Sequence, residues 1–151
     1  MRTSHDFLNK DQRGIALLEG LIALLIFSIA IIALMGLQAA ALNNASEAKF
    51  RADASFLANQ IVGHIWSDRD NVGSYAYNGV AATSCPSGTN PTVCGWLAGI
   101  RDVLPDAANQ TQTVAIAGTG AAGVNQVTVT VGWKSPRGAA HNFVIVTQIG
   151  G

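Results

Sequence analysis

Residues 15–37 read IALLEGLIALLIFSIAIIALMGL, twenty-three residues whose single charge is Glu19. The uncharged stretch runs further, because no side chain ionises over the 27 residues from Gly20 to Ser46. An apolar run of this length and composition predicts a membrane-spanning helix. At about 1.5 Å per residue it gives roughly 34 Å of helix, enough for a hydrocarbon core of about 30 Å. Upstream lies MRTSHDFLNKDQRG, where Arg2, Lys10 and Arg13 outweigh Asp6 and Asp11. A net-positive flank of this kind stays cytoplasmic, which places everything after the span on the far side of the inner membrane.

The rest of the chain is also poor in charge. Of 151 residues 49% are apolar and only 12% are Asp, Glu, Lys or Arg, roughly half the share usual in soluble domains. Nine bases balance nine acids, so there is no basic field for phosphate neutralisation and a nucleic-acid partner is not expected. A composition this apolar is not that of a disordered tail. Two cysteines are too few for a disulfide scaffold or a four-ligand structural zinc site.

Three targeting readings fit an N-terminal apolar segment. A secretory signal has an apolar region of about 7 to 15 residues before a small-residue cleavage site; Ala39, Ala40 and Ala41 could supply that site, but this run is too long and contains an acid. A generic single-span anchor leaves Glu19 unexplained, since a carboxylate within a span costs up to about 3 kcal/mol on insertion scales. An intramembrane acid is instead a candidate functional residue.

The third reading rests on the register of leader, glycine, acid and span: Arg13-Gly14, then Ile15-Ala16-Leu17-Leu18-Glu19, then the long apolar run. In this arrangement the chain resembles the type IV prepilins. The resemblance implies that a prepilin peptidase cuts between Gly14 and Ile15 on the cytoplasmic side and methylates the new amino terminus on Ile15. It also implies that Glu19, fifth after the cut, pairs with the amino terminus of a neighbouring subunit, which offsets the desolvation of a buried carboxylate. Isoleucine stands where the family usually has phenylalanine, and keeps the apolar character. Gly36 lies where many major pilins carry a proline and unwind in the filament, so the resemblance implies local melting there.

Past the span the helical pattern continues. Phe50, Ala54, Leu57, Ile61 and Ile65 recur at steps of three and four and mark one apolar stripe. Glu47 with Arg51 and Lys49 with Asp53 are expected to pair across one turn. The helix should end near Trp66, where residues 67–73 (SDRDNVG) supply breakers. Cys85 and Cys94 lie outside the membrane, in an oxidising compartment, and are expected to form a disulfide. Closing a loop of this length stabilises the fold by about 3 kcal/mol in the chain-entropy view. Trp96, Ile100 and Val103 or Leu104 then share one face of a short helix that Pro105 stops. A cysteine loop, a tryptophan and a Leu-Pro turn resemble the PilV-like minor pilins, as does Arg69-Asp70-Asn71 at the helix end.

The last third alternates in twos. A first strand is expected over 111–117, a second with Val127, Val129, Val131 and Trp133 on its apolar face, and a third over 143–149 after a Ser-Pro-Arg-Gly turn. Residues 118–123, GTGAAG, match the dinucleotide-binding spacing, but strand pattern follows where that fingerprint needs a helix amino terminus. The histidines, His5, His64 and His141, are scattered, and no nucleophile-elbow motif or poised carboxylate pair is visible, so neither an enzyme nor a cofactor is expected.

The expected fold is α+β and pilin-like, a long N-terminal helix packed on a small antiparallel sheet. Its parts are a cleaved leader over 1–14, a span or filament core over 15–37, an amphipathic continuation over 38–70, a loop region with the disulfide and short helix over 71–110, and a sheet over 111–151. The resemblance implies a minor pilin that primes type IV pilus assembly near the tip and affects adhesion and motility. Its implied partners are other minor pilins, the major pilin, the prepilin peptidase and the inner-membrane assembly platform, with no small-molecule substrate. The precursor would sit in the inner membrane, and the mature chain in the pilus at the cell surface. Two alternatives stand beside this: a minor pseudopilin of a type II secretion system, and a periplasmic binding domain on an ordinary single-span anchor.

Overall fold

A computed structural model describes residues 12–118, 123–136 and 138–150. Most of the leader, the centre of the glycine-rich connection and Arg137 of the expected turn lie outside them. The first element, α1 (Gln12–Ser67), passes through both halves of the long helix expected from the sequence. Contacts divide the chain at Ala45 into two units.

In the first unit α1 is exposed at every residue from 14 to 45. Its most apolar 18-residue window has a mean hydropathy of 2.8 and is not buried at all, so this helix is long and apolar enough to cross a membrane. Its backbone polar groups are satisfied along the helix, which is what a lipid environment demands. Even the hydroxyl of Ser28 donates back to the Leu24 carbonyl at 2.7 Å.

In the second unit the apolar stripe is buried. Ala54, Ala58, Ile61 and Ile65 are fully enclosed, Leu57 and Val62 nearly so, and Phe50 packs at the margin. The stripe belongs to one core with the sheet's Val114, Val127, Val129, Val131, Trp133 and Ile149. The sheet has four antiparallel strands in chain order: β1 (Tyr77–Val80), β2 (Thr111–Gly118), β3 (Val124–Lys134) and β4 (Ala140–Gly150). The arrangement is α+β as expected. Gly118 closes β2 and Val124 opens β3, with Gly118 opposite Asn125. The glycine-rich segment is therefore a hairpin connection followed by a strand.

Two boundaries differ from the sequence expectation. Strand β1 falls inside the region expected to be loop; Tyr77, Asn78, Gly79 and Val80 pair with Val114, Thr113, Gln112 and Thr111. With Asn-Gly at its centre it carries little strand preference of its own, and β2 supplies the pairing. The short helix, α2 (Pro91–Val103), begins four residues before Gly95. Asn90 caps it by accepting from the Thr92 amide at 2.9 Å, and Pro91 occupies the first turn, where its missing N–H costs nothing. Cys94 thus lies within a helix. At the other end Leu104 adopts an extended conformation before Pro105, as a residue preceding proline must.

Helix α2 is fastened to α1. The Trp96 indole donates to the Leu57 carbonyl at 2.8 Å, so a buried polar group is satisfied by a helix backbone that already carries its own bonds. Where β2 and β3 separate, the Gln112 side chain takes over the ladder. Its amide donates to the Gly132 carbonyl and accepts from the Gly132 N–H, both at 2.9 Å, and it also reaches the carbonyls of Ala107 and Gln110. Gly132 is required there, since a Cβ would meet the Thr111 carbonyl oxygen at 2.8 Å.

Candidate functional site

The candidate residues fall into two groups, one in each unit. In the first, Ile15 is 65% exposed on α1, and Glu19 lies one turn on, also exposed. Ile15, Leu18, Glu19, Ile22, Ala23 and Ile26 line a shallow groove of about 430 Å³. Their spacing of three and four puts the carboxylate on an apolar helix face. Glu19 has no hydrogen-bond or ion-pair partner among the described residues. An anionic group in that setting needs either water or a cationic partner from another molecule. Gly14 is helical and exposed, and a Cβ there would meet nothing within 4 Å. The cut expected between Gly14 and Ile15 therefore falls on exposed chain. Its leader side lies outside the described residues.

The second group is the disulfide. Cys85 and Cys94 are bonded, with Cα atoms 5.5 Å apart. The loop they close leads directly into α2, and Asn90 within it donates to the Ser74 hydroxyl at 2.9 Å. Arg101 of α2 donates to the Ala82 carbonyl at 2.7 Å on the far side of the loop. The crosslink thus holds the approach to α2 against the turn that follows α1.

That turn is a polar knot. The 3-10 segment Arg69–Tyr75 wraps back so that Tyr75 donates to Asp68 at 3.1 Å and Asn71 donates to the same carboxylate at 2.7 Å. Burial first, and then the Asp68 carboxylate, raise the Tyr75 phenol above its ordinary value of 10.0, with a smaller opposing contribution from Thr92. Burial alone raises that of Tyr77.

Sequence reasoning missed one pairing. The expected bridges Glu47–Arg51 and Lys49–Asp53 do not form; Glu47 instead lies 3.5 Å from His141, at the start of β4. The imidazole stacks on Trp133 with ring centroids 5.8 Å apart. Ninety-four residues separate the two partners, and only the packing of α1 on the sheet joins them. His64 is exposed on α1, and His5 lies outside the described residues. Among the described residues no three His, Cys, Asp or Glu side chains gather as metal ligands.

The chemistry on offer is therefore that of association: an unpaired acid on an exposed apolar helix, and a crosslinked, sparsely charged domain. Compared with family models, curated proteins and solved structures, the chain finds no match in any of the three.

Proposed function

We propose that this chain is a subunit of a membrane-derived helical fibre, a minor pilin of a type IV pilus. The observation that carries the reading is Glu19, a carboxylate without a partner on an apolar face of a helix exposed throughout residues 14–45. Such a helix has two suitable environments, a bilayer before assembly and a bundle of like helices afterwards. Cleavage between Gly14 and Ile15 creates the missing cation, an amino terminus four residues from the acid along the chain. Pairing it with Glu19 of a neighbour fixes the axial register of one helix against the next. A pair desolvated in lipid or in a helix bundle is stable only when both members are present.

On this reading the leader is cytoplasmic, the domain from Ser46 onward is periplasmic, and the mature chain moves into the pilus. Its partners are the major pilin, other minor pilins, the prepilin peptidase and the assembly platform. Glu19→Leu tests the proposal. The variant should stay in the membrane at wild-type level and disappear from sheared pili. Wild-type incorporation of the variant contradicts the register mechanism.

A further inference from the structure

A second concavity lies wholly within the domain from Ser46 onward. It encloses about 460 Å³, within the size range of small-molecule sites. Arg51 of α1 faces Gln110 and Thr111 at the start of β2, Thr113 and Thr130 on the paired strands, and Asn142 near the start of β4. None of the lining residues carries a carboxylate. The guanidinium of Arg51 has no hydrogen bond or ion pair among the described residues. The acid one turn before it, Glu47, is held 3.5 Å from His141 and does not neutralise it.

We propose that this concavity binds an oxyanion, a phosphoryl or carboxylate group on a small ligand. A guanidinium offers a planar fork of donors matched to two oxygens of such a group. The threonine hydroxyls and the Gln110 and Asn142 amides can turn donors toward the remaining oxygens. A neutral ligand would leave the guanidinium with water alone, and a cation would face it with no acid to offset the repulsion. His141, already engaged by Glu47 and stacked on Trp133, forms a wall of the site. This site is independent of Glu19 and of fibre assembly.

The test is an amide chemical-shift titration of the full chain in detergent micelles. Sodium phosphate and sodium acetate are the probes, at constant ionic strength balanced with chloride. Saturable shifts are expected at Arg51, Thr111 and Thr130 with at least one probe. Saturation with phosphate alone assigns a phosphoryl group, and saturation with both admits a carboxylate. Arg51→Gln should weaken binding by roughly tenfold or more, the scale of a lost charge-assisted pair. Lys49→Gln removes an exposed cation outside the site and should change affinity by less than about twofold, as expected for a screened surface charge. Thr130→Val keeps the side-chain shape and should weaken binding several-fold. Linear, non-saturating shifts with both probes overturn the proposal, as does equal weakening by Arg51→Gln and Lys49→Gln. If Arg51→Gln disturbs the fold, unchanged binding by Thr130→Val overturns it.

Discussion

The two halves of α1 share a secondary structure and many of the same residue types, yet their side chains have opposite fates. Ile22, Ile26 and Ile29 are each at least half exposed, whereas Ile61 and Ile65 are wholly enclosed. Before Ala45 the apolar residues surround the helix on all sides; after it they form one stripe, with polar residues on the other side. A helix apolar all round must be covered by lipid or by other chains, and one with a stripe is covered by its own domain. The same contrast appears in the charges. Glu19 has no partner, while Glu47 meets His141 across the domain.

The largest effect separating the halves should come from equivalent truncations. Ile61→Ala opens a cavity in a closed core and should cost about 2–5 kcal/mol of domain stability. Ile26→Ala should leave the domain's unfolding midpoint unmoved. Denaturation of the full chain in micelles, followed by tryptophan fluorescence, compares them directly. An equal shift from both variants would erase the distinction between the halves.

A smaller effect tests whether the domain's polar interior is as fully engaged as its apolar one. Gln112→Leu keeps the bulk and leaves the buried Gly132 N–H without its acceptor, at an expected cost of about 1–3 kcal/mol. Hydrogen exchange at the Gly132 amide should rise with it, and unchanged protection would show that the side chain is dispensable to the ladder.

The smallest effect is confined to alkaline pH. A phenol whose ionisation is raised in the folded state holds its proton more tightly there than when unfolded. Its contribution is complete below the ordinary phenol value of 10.0 and is lost as pH climbs from there through the raised folded value. Tyr75→Phe should cost about 1 kcal/mol at neutral pH through the lost bond to Asp68, and should flatten the fall in stability above pH 10. Denaturation midpoints at neutral and alkaline pH measure both. An unaltered alkaline slope would place the loss elsewhere, with Tyr77 the next candidate.

Much of this contrast was legible in the sequence because it is periodic. The span announces itself by length, and the stripe from Phe50 to Ile65 by steps of three and four. The strand faces around Val127–Trp133 announce themselves by alternation. Glu19 stood out as the span's single charge, and Cys85 and Cys94 as the chain's only cysteines. Strand β1 was not legible, because four residues around Asn-Gly have no alternation to read and gain their structure from β2. The start of α2 was hidden inside the cysteine loop, although Asn90-Pro91 does carry a capping signal. Gln112 looks like any polar strand residue until β2 and β3 diverge around Gly132. Glu47–His141 and the Arg51 concavity depend on how α1 lies on the sheet, which no local pattern encodes.

The central claim is that the first half of α1 is delivered by a cut between Gly14 and Ile15 to a fibre of like helices. Intact mass of the chain extracted from membranes of cells with an active prepilin peptidase tests it most directly. Removal of 14 residues from 151 leaves 137, and the account predicts the mass of that chain with one added methyl group on Ile15. A mass corresponding to the uncut chain, or to a cut near Ala41, contradicts it.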